Sequence, residues 1–126
     1  MPKLTSASKK KVLIIDDEPG IRESLKLILG DIYNLILTDS GPQALECLAN
    51  SKDIGLVLVD IKMPQVNGLD VLKAVKKDHP GVPVIVVTGY KSVETASEAA
   101  KLGADGYIPK PFKSEEILET VKRHFK

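Results

Sequence analysis

The sequence predicts an α/β protein built on an open parallel sheet with helices on both faces. Short apolar runs and longer stretches with helical spacing alternate strictly, five of each. Three of the runs are nearly continuous Val, Ile and Leu, as expected of strands buried on both faces. At 126 residues the chain is too short for a closed eight-stranded barrel, which leaves a doubly wound sheet joined by right-handed crossovers.

Residues 1–10 read as a polar, flexible leader and residues 11–126 as one domain. The strands are expected at 12–15, 35–38, 56–59, 83–87 and 107–108. Between them, Ile21, Leu25, Ile28 and Leu29 recur on one helix face, and Leu45 with Leu48 repeats this more weakly. Leu69, Leu72 and Val75 form a third stripe, and Val93, Ala96 and Ala100 a fourth of small residues. Ile117, Leu118, Val121 and Phe125 form the last, which ends in Lys122, Arg123 and Lys126 near the negative pole of the helix dipole. Pro19 and Pro42 suit first helical turns. Ser92 and Ser114 are expected N-caps, and Gly103 a C-cap.

Composition narrows the function classes. Hydrophobic residues are 43% of the chain, charged residues 28%, and the net charge is +1. Nothing here demands a nucleic acid, a membrane surface or a strongly acidic partner. The Lys9-Lys10-Lys11 run reads as a solvated lead-in to the first strand, and no DNA-reading motif follows. Cys47 is the single cysteine, so no internal disulfide forms; it reads as a small helix filler in a reducing setting. No apolar run nears the ~20 residues that span a bilayer. The first ten residues lack the apolar stretch of a signal peptide, so the cytoplasm is expected.

In an open α/β sheet, ligands bind beyond the carboxyl ends of the strands. Four of the five runs end in a reactive polar group there: Asp16-Asp17-Glu18, Asp60, Thr88 and Lys110. Singly, each has a structural explanation. Asp16 or Asp17 could cap the next helix, Asp60 could shape a turn before Pro64 and Gly68, Thr88 could end a strand, and Lys110 could be a solvated lysine. Convergence on one edge argues against four coincidences. Crowded carboxylates repel unless a cation lies among them, and a hard oxygen set suits a divalent ion such as Mg²⁺. A carboxylate can attack phosphorus to form an acyl phosphate. Phosphoryl transfer then needs alignment and charge neutralisation. Asp60, leaving the middle of the buried strands, is the expected nucleophile. Lys110 would bind one phosphoryl oxygen as a point charge, and Thr88 would donate a hydrogen bond to another.

Four motifs, in order and at strand ends, resemble the receiver domain of two-component response regulators over residues 11–126. They are Ile14-Ile15-Asp16-Asp17-Glu18; Val59-Asp60-Ile61-Lys62-Met63-Pro64 with Gly68; Val86-Val87-Thr88-Gly89; and the run from Gly103 through Tyr107-Ile108-Pro109-Lys110-Pro111 to Phe112. The resemblance implies a flavodoxin-like sheet of order 2-1-3-4-5 and phosphorylation of Asp60 by a histidine kinase, a phosphotransfer protein or a small phosphodonor. It implies that Asp17, Asp60 and the Lys62 backbone carbonyl coordinate Mg²⁺ (or Mn²⁺), with Asp16 holding a metal-bound water. Thr88 and Lys110 would contact the phosphoryl oxygens, and Lys110-Pro111 would be the family's cis peptide, which orients the lysine. Thr88 and Tyr107 would form a switch that reshapes the surface of the fourth helix, fifth strand and fifth helix. Lys62 and Tyr90 match positions that govern water access to the acyl phosphate.

The family implies a signalling domain rather than an enzyme, catalysing its own phosphorylation and dephosphorylation alone. Its output partner is a further domain or protein, with a phosphorylation-dependent homodimer another form. The leader and the end at Phe125-Lys126 suit a stand-alone protein or the N-terminal part of a longer, for example DNA-binding, regulator. A flavin-binding flavodoxin would need a Ser/Thr/Gly-rich loop where this chain has three acids. An aspartate-nucleophile phosphatase would place its nucleophile after the first strand, with a second acid two residues on, where Lys62 stands beside Asp60.

Overall fold

Five parallel strands lie in the order β2-β1-β3-β4-β5 in the computed structural model, which describes residues 11–63, 65–89 and 92–125. The leader, Pro64 of the second motif, Tyr90 and Lys126 lie outside the described residues. The strands are β1 (Lys11–Ile15), β2 (Asn34–Thr38), β3 (Ile54–Val59), β4 (Val84–Thr88) and β5 (Gly106–Pro109). The helices are α1 (Pro19–Leu29), α2 (Gly41–Asn50), α3 (Gly68–Asp78), α4 (Val93–Lys101) and α5 (Ser114–His124). This is the flavodoxin-like order that the resemblance implied.

The central strands β1, β3 and β4 are buried on both faces, which is why they read as unbroken apolar runs. Successive side chains go to opposite layers. Leu13, Ile15, Val57 and Val59 pack with Leu48, Leu72 and Val75 of α2 and α3 on one face. Val12, Ile14, Leu56 and Leu58 pack with Leu25, Leu29, Ile117 and Val121 of α1 and α5 on the other. Strand β4 starts one residue later than expected. Pro83 has no N–H to add to the ladder, and its carbonyl accepts the Val57 amide at 2.9 Å.

Two helix details differ from the sequence reading. On α4 the buried residue is Ala99, not Ala100, and Val93 is 84% exposed. Ala96 pairs equally well with Ala99 or Ala100 at helical spacing, so packing against the sheet breaks the tie. The N-cap of α5 is Lys113, not Ser114, and the Glu116 carboxylate accepts the Lys113 amide at 3.4 Å. Elsewhere the punctuation holds. Pro19 and Pro42 stand at the first two positions of their helices, and Ser92 accepts the Thr95 amide at 3.4 Å. Gly103 takes φ +100, and the amides of Gly103 and Ala104 bond Ala100 and Ala99, the paired bonds of a Schellman motif. Cys47 is a free, half-buried thiol packed against the core. Among the described residues, no helix is long and apolar enough to cross a membrane.

Candidate functional site

Because all strands run in parallel, their carboxyl ends share one edge, and the ladder continues one residue beyond it. The amide of Asp16 bonds the Thr38 carbonyl at 3.1 Å, that of Asp60 bonds Ile15 at 3.0 Å, and that of Lys110 bonds Thr88 at 2.9 Å. Four residues far apart in sequence are thus fixed by backbone geometry. Asp16 is 2% exposed, Asp60 5% and Thr88 1%. A cleft of about 560 Å³ opens over them, lined by Asp17, Glu18, Asp60, Lys62, Thr88, Gly89 and Lys110.

One ammonium ties the edge together. Lys110 Nζ lies 2.8 Å from Asp16 Oδ2, 2.9 Å from Glu18 Oε1 and 2.9 Å from Asp60 Oδ2. Its three donors match three carboxylates. Burial alone would lower the pKa of Lys110; the bonds to Asp16, Glu18 and Asp60 outweigh it and hold the ammonium well above its ordinary range. Asp16 shows the opposite balance. Burial pushes its carboxyl up, despite Lys110 and the Glu18 amide, and the negative charge of Asp60 adds to the push.

The remaining oxygen of Asp60 accepts the Ile61 amide at 2.7 Å, which orients the carboxylate. Asp16, Asp17 and Asp60 each offer one oxygen, all within 4.8 Å of one another. The Lys110 ammonium meets two of these three, Asp16 and Asp60, and the negative charge left over is one that a hard divalent cation can neutralise, so these residues could hold one. Lys62 is exposed on the same cleft. Tyr107, half-buried on β5, is pushed up by burial and by the charge of Asp60, so it feels the same site. The Lys110-Pro111 peptide is cis.

The loop after β3 closes tightly over Asp60. A Cβ on Gly68 would stand 1.9 Å from the Asp60 carbonyl oxygen, and the Gly68 amide bonds the Ile61 carbonyl at 2.8 Å. Three contacts were not singled out from the sequence. Glu18 reaches Lys110, the buried Thr38 hydroxyl donates to the Ile14 carbonyl at 2.8 Å, and Arg22 Nη1 donates to the Asp16 carbonyl at 2.8 Å. A basic residue in the first turn of α1 was the available signal for the last.

Comparison with known proteins agrees with this geometry. The family described as the response regulator receiver domain matches residues 12–122. A putative NtrX-like response regulator of Rickettsia bellii is 39% identical over 115 residues, covering 89% of this chain and 24% of the relative. The response regulator MprA of Mycobacterium sp. (strain KMS) is 34% identical over 113 residues, covering 89% of this chain and 49% of the relative. The chain therefore spans a quarter to a half of these relatives' length. Among solved structures, a CheY-like response regulator receiver domain protein of Methanospirillum hungatei JF-1 superposes with a TM-score of 0.87 at 35% identity, covering 91% of this chain and 92% of that one.

Proposed function

The chain belongs to the response regulator receiver domain family, and we propose that Asp60 is its phosphoacceptor and that phosphorylation changes the shape a partner reads. The observation that carries this reading is the single ammonium of Lys110 bridging Asp16 and Asp60 on a cleft that also holds Thr88. In the proposed step a carboxylate oxygen of Asp60 attacks the phosphorus of a phosphohistidine on a histidine kinase or phosphotransfer protein. The P–N bond breaks, its electron pair leaves with the imidazole, and that nitrogen takes a proton.

Asp60 is held for attack by the Ile61 amide, and Lys110 passes from carboxylates to a phosphoryl oxygen. Thr88 donates to another. Asp17, Asp60 and the Lys62 carbonyl would hold Mg²⁺ or Mn²⁺, with Asp16 acting through a water. That cation supplies neutralisation of the phosphoryl oxygens. As Thr88 turns toward the new group, Tyr107 turns inward, and the surface of α4, β5 and α5 changes. An output domain, a partner protein or a second copy of the chain would read that surface. The domain turns over no separate substrate, and the cytoplasm is its proposed site of action. Lys62 and Tyr90 shield the acyl phosphate from water, so replacing both with small residues should speed dephosphorylation; an unchanged lifetime would refute the shielding.

Acetyl phosphate with Mg²⁺, followed by intact mass measurement, tests the core of the reading. The wild type should gain one phosphoryl group and Asp60→Asn none. Labelling that persists in Asp60→Asn overturns the assignment.

A further inference from the structure

We infer that Arg22 is a positioning residue for the acidic cluster, fixing from α1 the peptide that joins Asp16 to Asp17. This rests on the reading above that the cluster holds a divalent cation. Arg22 Nη1 donates to the Asp16 carbonyl oxygen at 2.8 Å. That carbonyl belongs to the peptide plane from which both carboxylates project, one buried and one exposed. Elsewhere the same turn is held by other bonds. The Asp16 amide bonds Thr38, and Asp16 Oδ1 accepts the Glu18 amide at 3.0 Å. The guanidinium completes the set with a charge-assisted bond.

Helix stability does not account for this residue. Positive charge near a helix N-terminus opposes the macrodipole, where acids are favoured. The first turn of α1 nevertheless carries no acid, and its N-cap Glu18 makes no side-chain cap bond. What Arg22 supplies instead is reach: a long stem ending in a planar donor that bridges helix and loop.

Two roles for Arg22 predict opposite signs. If it were merely a nearby positive charge, removing it would strengthen cation binding, because the acids would then face less competing charge. If it positions the Asp16–Asp17 peptide, removing it weakens binding by about tenfold, as loss of an outer-sphere partner does. The test is calorimetric titration with MgCl2 of the wild type, Arg22→Ala, Arg22→Met and Arg22→Lys, with thermal midpoints measured alongside. The expected result is about tenfold weaker Mg²⁺ binding in both Ala and Met variants. The Lys variant, which keeps a charged donor, should recover most of the affinity. Arg22→Met preserves the apolar stem, so it repeats the test with packing intact. Tighter binding in these variants, or unchanged binding with only a lower thermal midpoint, overturns the inference. A wild type that binds no Mg²⁺ overturns the metal reading of the site and this inference with it.

Discussion

At the amino end of the sheet, the ammonium of Lys76 on α3 meets one carboxylate, that of Asp105, at 2.8 Å; at the carboxyl end, the ammonium of Lys110 is shared among three. Asp105 Oδ2 also accepts the Val84 amide at 2.9 Å, and Lys76 also donates to the Val82 carbonyl at 3.2 Å. Burial would raise the Asp105 carboxyl, but Lys76 and the Val84 amide outweigh it and hold it below the usual carboxylate range. For Asp16 burial wins and the carboxyl is pushed up. The groups are the same at both ends: aspartate, lysine and a backbone amide. What differs is depth: Asp16 is almost fully enclosed and Asp105 partly exposed, so the same kinds of donor outweigh desolvation at the amino end and fall short of it at the carboxyl end.

The sharpest way to break the carboxyl end is Gly68→Ala. With a Cβ 1.9 Å from the Asp60 carbonyl oxygen, the loop or the strand end must move. We expect a loss of about 3 kcal/mol in urea denaturation, together with slower labelling by acetyl phosphate. At the amino end, Asp105→Asn should cost about 1–2 kcal/mol at pH 7, discounted for the partial exposure of the carboxylate. The sign of its pH dependence follows from the lowered pKa. The unfolded chain binds the proton more tightly, so the stabilisation is complete above the ordinary aspartate range and is lost as pH falls through the lower folded value. The gap between wild type and Asp105→Asn should therefore close in acid; a gap that persists below that window refutes the clamp. Asp16→Asn should act in the opposite direction. Without Mg²⁺ at pH 7 it removes one of three crowded carboxylates and should stabilise the protein by about 1 kcal/mol, read as a higher urea midpoint. Destabilisation by Asp16→Asn would erase the contrast between the two ends.

The site was more legible in the sequence than the faces of the helices were. Asp16, Asp60, Thr88 and Lys110 each stand at the end of an apolar run, and parallel pairing brings such ends together whatever the loops do. Helix α4 was misread because Ala, Thr and Ser carry too little hydrophobic contrast to mark a face, so Val93 suggested a stripe that the sheet does not cover. Arg22 and Thr38 escaped notice for a different reason. Both act on backbone carbonyls; a basic residue in a first helical turn marks Arg22 as unusual without naming its partner, and nothing marks Thr38. The Lys76–Asp105 clamp joins residues 29 apart and was equally invisible to local spacing.

The smallest expected effect tests whether ion pairing as such steadies the amino end. Lys11 at the start of β1 pairs with Asp53 before β3 at 3.1 Å, and the two side chains are 36% and 47% exposed. Solvent screens this pair, and holding the long Lys11 side chain in one geometry costs entropy. The backbone bond between the same residues, from the Lys11 amide to the Asp53 carbonyl at 2.8 Å, survives any side-chain change. Lys11→Met should therefore shift stability by less than about 0.5 kcal/mol, and added salt should remove what difference there is. If Lys11→Met costs as much as Asp105→Asn, burial and backbone donors are not what separates the clamp from an ordinary surface pair. The contrast between the two ends would then have to be redrawn in terms of net charge alone.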